Sequence, residues 1–379
     1  MEDTAGKVIT CHAAVAWEPN KPLAIEQIEV QPPKEGEVRI KMMYTAICHT
    51  DLFQVSGTDP DVKFPTIVGH EGAGVVESVG PGVESVRPGD HVIPVLLCQC
   101  RSCDICADPR ANLCRKFLYN SDKQQVLYDG TTRFSCRGEQ IYHFSGCSTF
   151  SEFTVCPEIA VAKIDPTVPL DKAALLGCGI ATGYGSPVKG CPINEGSTVG
   201  VWGMGAVGLA VVMGARDKGA KRIVAIDVNP DRLKLAKMFG ATDFVNPKEL
   251  EEPLQQFLSK KFDGGLDYAF EATGKPEAIT QAFESTKKCF GKTCILGVSG
   301  KDVSLSNGLL LQGRTVMGTF IGGLKTRDDI PILAEKYKDG KIQLDEFISW
   351  RCSLGQINEA WDKLQRGEGI RSMIAVSEE

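Results

Sequence analysis

The chain has 379 residues, 42% of them hydrophobic and 24% charged, too long for one typical core and suggestive of about two soluble globular domains. A net charge of −6 leaves no basic footprint for nucleic acid or an anionic membrane, and no run approaches the roughly 18 apolar residues of a membrane span. The 15 cysteines follow a start, MEDTAGKVITCHAAVAW, that has early acidic residues and no long apolar segment; a cytoplasmic protein without a disulfide framework is expected.

From Lys7 to about Val95, short β-type runs (EVRIKMMY, GAGVVESV, DHVIPVLL) alternate with turns marked by Pro60, Pro65, Pro81 and Pro88. That spacing predicts a compact β-rich domain. Inside it lie Cys48 and His70, with Glu71 directly after the histidine. Thiolate and imidazole are ligands zinc prefers, and a catalytic zinc takes three protein ligands and keeps one position open. Cys178, flanked by glycines in LLGCGIATGYG, is the best candidate for the third, since glycine lets backbone approach a metal or cofactor closely. Taken singly, these residues read as buried thiols and a satisfied core histidine. Their context points to a metal.

The next segment is CQCRSCDICADPRANLC, in which Cys100, Cys103, Cys106 and Cys114 follow C-x2-C-x2-C-x7-C. Four thiolates on one loop form the usual closed structural zinc site. An iron–sulfur cluster is the alternative, but its bacterial motif ends C-x3-C-P, and here the last gap is seven residues with no proline after Cys114. Cys98 falls outside the spacing and is expected to be a bystander. Further β structure is predicted from Leu118 to Val161, and helical patterning begins near Leu170.

A second domain begins at STVGVW, a buried-strand pattern followed by GMGAVG, an apolar helix and the strand RIVAIDV. Gly203, Gly205 and Gly208 make G-x-G-x-x-G between strand and helix, and Asp227 ends the next strand. This is the dinucleotide fingerprint. Backbone N–H groups at the helix start receive the pyrophosphate. A carboxylate at Asp227 binds the ribose hydroxyls and repels a 2′-phosphate, so NAD is the expected cofactor. Further strand–helix units (DFVN, ELEEPLQQFLSKK, LDYAFEATG, the helix from Pro276, KTCILGV) predict a parallel, doubly wound sheet.

The run GHEGAGVVESVGPGV, from Gly69 to Val83, resembles the signature of the medium-chain, zinc-containing alcohol dehydrogenases, matching at Gly69, His70, Glu71, Gly74, Gly80 and Val83. CHTD from Cys48 to Asp51, the four-cysteine segment, the GCG around Cys178, the glycine fingerprint and GIRSM near the C-terminus extend the resemblance over essentially the whole chain. It implies an α/β protein with a GroES-like catalytic domain at 1–179 (structural zinc lobe 98–115), a Rossmann NAD-binding domain at 180–322, and a return to the catalytic domain at 323–379. It also implies two zincs per chain, a homodimer, and reversible hydride transfer between a primary alcohol and NAD.

The resemblance assigns further roles. Thr50 would remove the alcohol proton, Asp51 would orient the imidazole of His70, and Glu71 would lie near the metal as a transient ligand. Arg232 would sit at the adenosine ribose, with His49 and Arg371 at the pyrophosphate. Phe53 stands where many relatives carry a histidine that ends the proton relay, so here the relay ends at the cofactor ribose or at water. CHTD and SGTDPD look most like the class III, glutathione-dependent type that oxidises S-(hydroxymethyl)glutathione. Asp59, Asp61 and Lys288 match charged positions of that class, but Leu118 replaces its carboxylate-binding arginine; Arg115 is a possible substitute. The alternatives are a polyol dehydrogenase and a non-catalytic structural or binding relative.

Overall fold

The computed structural model describes residues 4–119, 125–298 and 300–377, without the side chains of residues 118 and 119. The chain divides into two compact units, Met1–Cys178 with Lys325–Glu379, and Gly179–Leu324. Among the described residues no helix is long and apolar enough to cross a membrane.

The first unit is built on β-branched runs. A seven-stranded sheet has the order Ile348–Ser353, Arg371–Ala375, Glu37–Ala46, Glu71–Val79, His91–Pro94, Val161–Lys163, with Phe153–Pro157 paired to Glu37–Ala46. A four-stranded sheet joins Ile9–Val15, Ala24–Val30, Phe134–Cys136 and Glu139–Ile141. Ile40, Met42, Ile67, Val68, Val76 and Phe150 are fully buried in one core, each stabilising the fold by about 1.5–3 kcal/mol relative to exposure. The sheet also buries Arg39, whose guanidinium meets Glu77 at 2.6 Å and the carbonyls of Lys7 and Thr4 at 2.6 and 2.7 Å. A charge without water needs such a full set of partners.

Two strands of this sheet carry the site. Glu37–Ala46 leads to Cys48, and Glu71–Val79 begins directly after His70. The C-terminal strand pairs with the former, Met373 opposite Ala46 and Ile374 opposite Thr45. That pairing brings Arg371 to the start of the CHTD turn.

The second unit is a six-stranded parallel sheet. Taking its strands in chain order, the spatial order is third, second, first, fourth, fifth, sixth, from Asp243–Val245 through Thr198–Trp202 to Thr315–Gly318. This is the order of dinucleotide-binding doubly wound sheets. The first strand is buried over Val199–Trp202, as a strand covered on both faces must be. The helix after it, Ala206–Asp217, is buried at nine of its 12 residues. The helix Pro230–Phe239 has Asn229 accepting from the Asp231 N–H at 2.9 Å and left-handed Gly240 at its end, the capping chemistry its sequence encodes.

Candidate metal centres and cofactor loop

Cys48 ends the extended chain and caps the helix His49–Val55. Asp51, fully buried in that helix, accepts hydrogen bonds from three groups: the Cys48 N–H at 3.0 Å, the Gly69 N–H at 2.9 Å and His70 Nδ1 at 2.8 Å. One carboxylate thus joins both segments and orients the imidazole. Gly69 has φ +97°, and a Cβ there would lie 2.5 Å from the Phe150 ring; no other residue turns the chain into His70 so closely. With Nδ1 committed to Asp51, His70 Nε2 is buried and has no hydrogen-bond partner.

Donor atoms of Cys48, His70, Glu71 and Cys178 all lie within 4.8 Å of one another. An imidazole nitrogen left bare among two thiols is expected of a metal site, because a buried polar atom otherwise costs about 1–3 kcal/mol. The donor set fits zinc. Beside it, the Glu71 carboxylate is held by Arg371 through Nε at 2.8 Å and Nη2 at 3.0 Å, and Nη2 also approaches Cys48 Sγ at 3.7 Å. Hydrogen bonding with Cys178 holds the Cys48 thiol well below its ordinary pKa, assisted by the Arg371 charge. Burial pushes the Glu71 carboxyl up against the opposing pull of Arg371. Thr50 is half-buried, its hydroxyl 3.8 Å from Cys48 Sγ, and His49 beside it is exposed.

The structure gives Arg371 partners that sequence reasoning missed. It also adds Phe144, whose ring meets His70 edge-on with centroids 5.4 Å apart, and Thr149, whose hydroxyl is 2.6 Å from that of Thr45 and whose N–H donates to the Gly69 carbonyl. No local pattern marked these contacts, because each joins segments far apart in the chain.

In the second cluster Cys100, Cys103, Cys106 and Cys114 bring their sulfurs within 4.8 Å of one another. The Cys100–Cys106 and Cys103–Cys114 distances are 3.9 and 4.0 Å. A tetrahedron with metal–sulfur bonds of about 2.3 Å has edges of about 3.8 Å, so the loop is shaped for one ion. Cys103 caps the one-turn helix Asp104–Ala107 and accepts the Cys106 N–H at 3.4 Å. Arg115 is ion-paired with Asp104, which engages the guanidinium considered as the substitute at the missing arginine position. The Leu118 side chain lies outside the described residues. Asp59, Asp61 and Lys288 are exposed.

In the second unit Gly203 has φ +87°, Gly205 caps the helix Ala206–Asp217, and a Cβ on Gly208 would stand 1.7 Å from the Gly203 carbonyl oxygen. Asp227 accepts from the Met204 N–H at 2.7 Å and from the Asn229 N–H at 2.8 Å. Arg232 Nη1 donates to the Met204 carbonyl at 3.5 Å. Both charged groups therefore rest against the glycine-rich loop.

A GroES-like unit with a buried thiol–imidazole cluster and a dinucleotide-type sheet together define the zinc-binding alcohol dehydrogenases. Residues 34–166 match the alcohol dehydrogenase GroES-like domain and residues 206–338 the zinc-binding dehydrogenase family. The chain belongs to this family, as an alcohol dehydrogenase of the class III type. It is 49% identical to alcohol dehydrogenase class-3 of Caenorhabditis elegans over 99% of each chain, and 48% identical to that of Drosophila melanogaster over 99% and 100%. An alcohol dehydrogenase zinc-binding domain protein from Burkholderia ambifaria has the same fold, with TM-score 0.91, 32% identity, and coverage of 98% of this chain and 100% of its own.

Proposed function

We propose that Cys48, His70 and Cys178 hold a catalytic zinc, that Cys100, Cys103, Cys106 and Cys114 hold a structural zinc, and that the enzyme uses NAD to oxidise primary alcohols and S-(hydroxymethyl)glutathione. The observation that carries this reading is the bare, buried Nε2 of His70 among the two sulfurs. Bound there, zinc supplies Lewis-acid polarisation of the alcohol or aldehyde oxygen. Asp51 fixes the tautomer and direction of His70. Thr50, whose hydroxyl borders Cys48, takes the alcohol proton and passes it to the cofactor ribose or to water, because Phe53 has no group to receive it. Glu71, paired with Arg371, sets the charge behind the thiolates and acts as a transient ligand.

For the cofactor, the helix start after Gly203 receives the pyrophosphate. Asp227, with Arg232 beside it, accepts from the ribose hydroxyls. A homodimer is supported by the open edge strand Thr315–Gly318 and by the exposure of Leu311 (80%) and Val298 (73%) in the same unit, features that invite pairing with another chain. A cytoplasmic location is supported by the fifteen cysteines, which in a reducing compartment serve as metal ligands and buried thiols. The class-3 relatives favour the glutathione adduct as substrate. Leu118 and the engagement of Arg115 by Asp104 favour weak dependence on glutathione.

Metal analysis and a substrate panel test this reading. Two zincs per chain are expected, with NADH formed from ethanol, longer alcohols, and formaldehyde plus glutathione. One zinc or none removes the enzyme assignment. A strong preference for the glutathione adduct at micromolar KM removes the argument from Leu118.

A further inference from the structure

The dipeptide His70–Glu71 is enclosed by two glycines, Gly69 and Gly72, and Thr149 stands against both. A Cβ at Gly69 would lie 2.6 Å from Thr149 Oγ1, and one at Gly72 would lie 2.7 Å from Thr149 Cγ2. Thr149 is fully buried, and its N–H donates to the Gly69 carbonyl at 3.0 Å. Its hydroxyl lies 2.6 Å from that of Thr45, which is also fully buried and lies 3.3 Å from the Glu71 carbonyl. A carbonyl only accepts, and each hydroxyl has one proton to give. The chain therefore runs one way: Thr149 donates to Thr45, and Thr45 donates to Glu71. One residue is thus bonded, directly or through a single hydroxyl, to the backbone on both sides of His70. The imidazole between those two carbonyls is the one whose buried Nε2 is bare.

We propose that Thr149, acting through Thr45, is a positioning residue of the catalytic metal centre, and that its hydroxyl sets the direction in which His70 presents Nε2. This rests on reading Cys48, His70 and Cys178 as a metal site. Asp51 fixes the imidazole ring through Nδ1, but it does not fix the peptide planes from which the ring projects. Gly69 and Gly72 bring no side chain of their own to brace those planes. A small rotation there is magnified at a nitrogen several bonds away, whereas a ligand has to be held within about 0.5 Å of its productive place. The two branches of Thr149 divide the work. The methyl packs where Gly72 lacks a Cβ, and the hydroxyl starts the chain that ends on the Glu71 carbonyl. Valine at 149 keeps the shape and the N–H bond to Gly69 and removes the hydroxyl. Serine keeps the hydroxyl and removes the methyl.

The test uses the full chain with cobalt(II) exchanged into the Cys48, His70 and Cys178 site and zinc kept in the four-cysteine lobe. The visible absorption of cobalt reports its ligand arrangement, its decay in a chelator gives the off-rate, and elemental analysis counts the lobe zinc. Partners behind a metal-bound histidine typically change metal affinity about 10–100-fold. Thr149→Val and Thr45→Val should each lose cobalt about tenfold faster and shift its absorption, while Thr149→Ser stays within about twofold of wild type. The lobe zinc should be retained in all three. A wild-type rate and spectrum in either folded valine variant overturns the inference. So does a serine variant as impaired as valine, or loss of lobe zinc in parallel with cobalt. Wild-type protein that takes up no metal at Cys48, His70 and Cys178 overturns instead the reading on which the inference rests.

Discussion

At the scale of single residues, carboxylates organise both halves of the chemistry. Asp227 holds the glycine loop through the Met204 N–H, in addition to the ribose contacts its position implies. Asp227→Gly should therefore lose about 1 kcal/mol of stability as well as the repulsion of a 2′-phosphate. Comparing kcat/KM for NAD and NADP should reveal a relaxed preference, and an unchanged ratio removes Asp227 from cofactor selection. A second residue sets acid sensitivity. Burial and the Arg133 charge push His143 down from 6.5 to about 3, against a weaker opposite pull from Asp129. Above about pH 6.5 this costs nothing. As pH falls toward 3, the unfolded chain binds a proton that the folded chain refuses, and stability declines by about 1.4 kcal/mol per pH unit. His143→Gln keeps an acceptor for the Arg133 N–H that His143 Nε2 now receives at 3.1 Å. Its Tm should fall less steeply between about pH 7 and 5; parallel slopes would acquit His143. At this scale the sulfur and imidazole donors were legible, because thiol spacing and the CHTD and GHE runs are local patterns. The partner of Glu71 was not. Arg371 is 300 positions away, and no periodicity links the two.

At the scale of elements, the two sulfur clusters are built differently. Cys48 sits at the start of a seven-residue helix whose Asp51 already ties it to His70, so the scaffold is braced without relying on a metal. The four-cysteine loop contains only one-turn helical pieces of its own. It is fastened to the helix Thr326–Lys338 by Arg327 to the Gln99 carbonyl at 3.2 Å, Thr326 to the Leu97 carbonyl at 2.7 Å, and Lys325 to the Cys106 carbonyl. A closed site supplies folding free energy, whereas an open one supplies an electrophile. Cys103→Ser should thus lower Tm and lose one zinc, while Cys48→Ser should keep the fold and abolish turnover. Thermal melts with zinc counts check both, and a Cys103→Ser protein retaining two zincs and its Tm would falsify the structural assignment.

At the scale of the whole molecule, the edge strand and its apolar neighbours lead to an assembly prediction. Sedimentation equilibrium should give twice the 41.0 kDa chain mass, and Leu311→Asp, at the most exposed large apolar side chain, should shift the population toward monomer. A wild-type monomer at micromolar concentration removes the homodimer. The sequence by itself determined the parallel sheet, the glycine loop and the two sets of metal-type donors. Strand alternation, helix caps and ligand spacing are encoded over a few to some twenty residues, within reach of local physics. Tertiary structure alone decided which groups those donors face. The pairing of Arg371–Ala375 with Glu37–Ala46 puts a guanidinium on Glu71, and the fastening of the lobe by Arg327 depends on the same C-terminal segment. Cys98 gains the Tyr128 hydroxyl as a neighbour in the same way. Such contacts arise when strands distant in the chain bury their apolar faces together, and one linear sequence carries no local mark of who will be opposite whom.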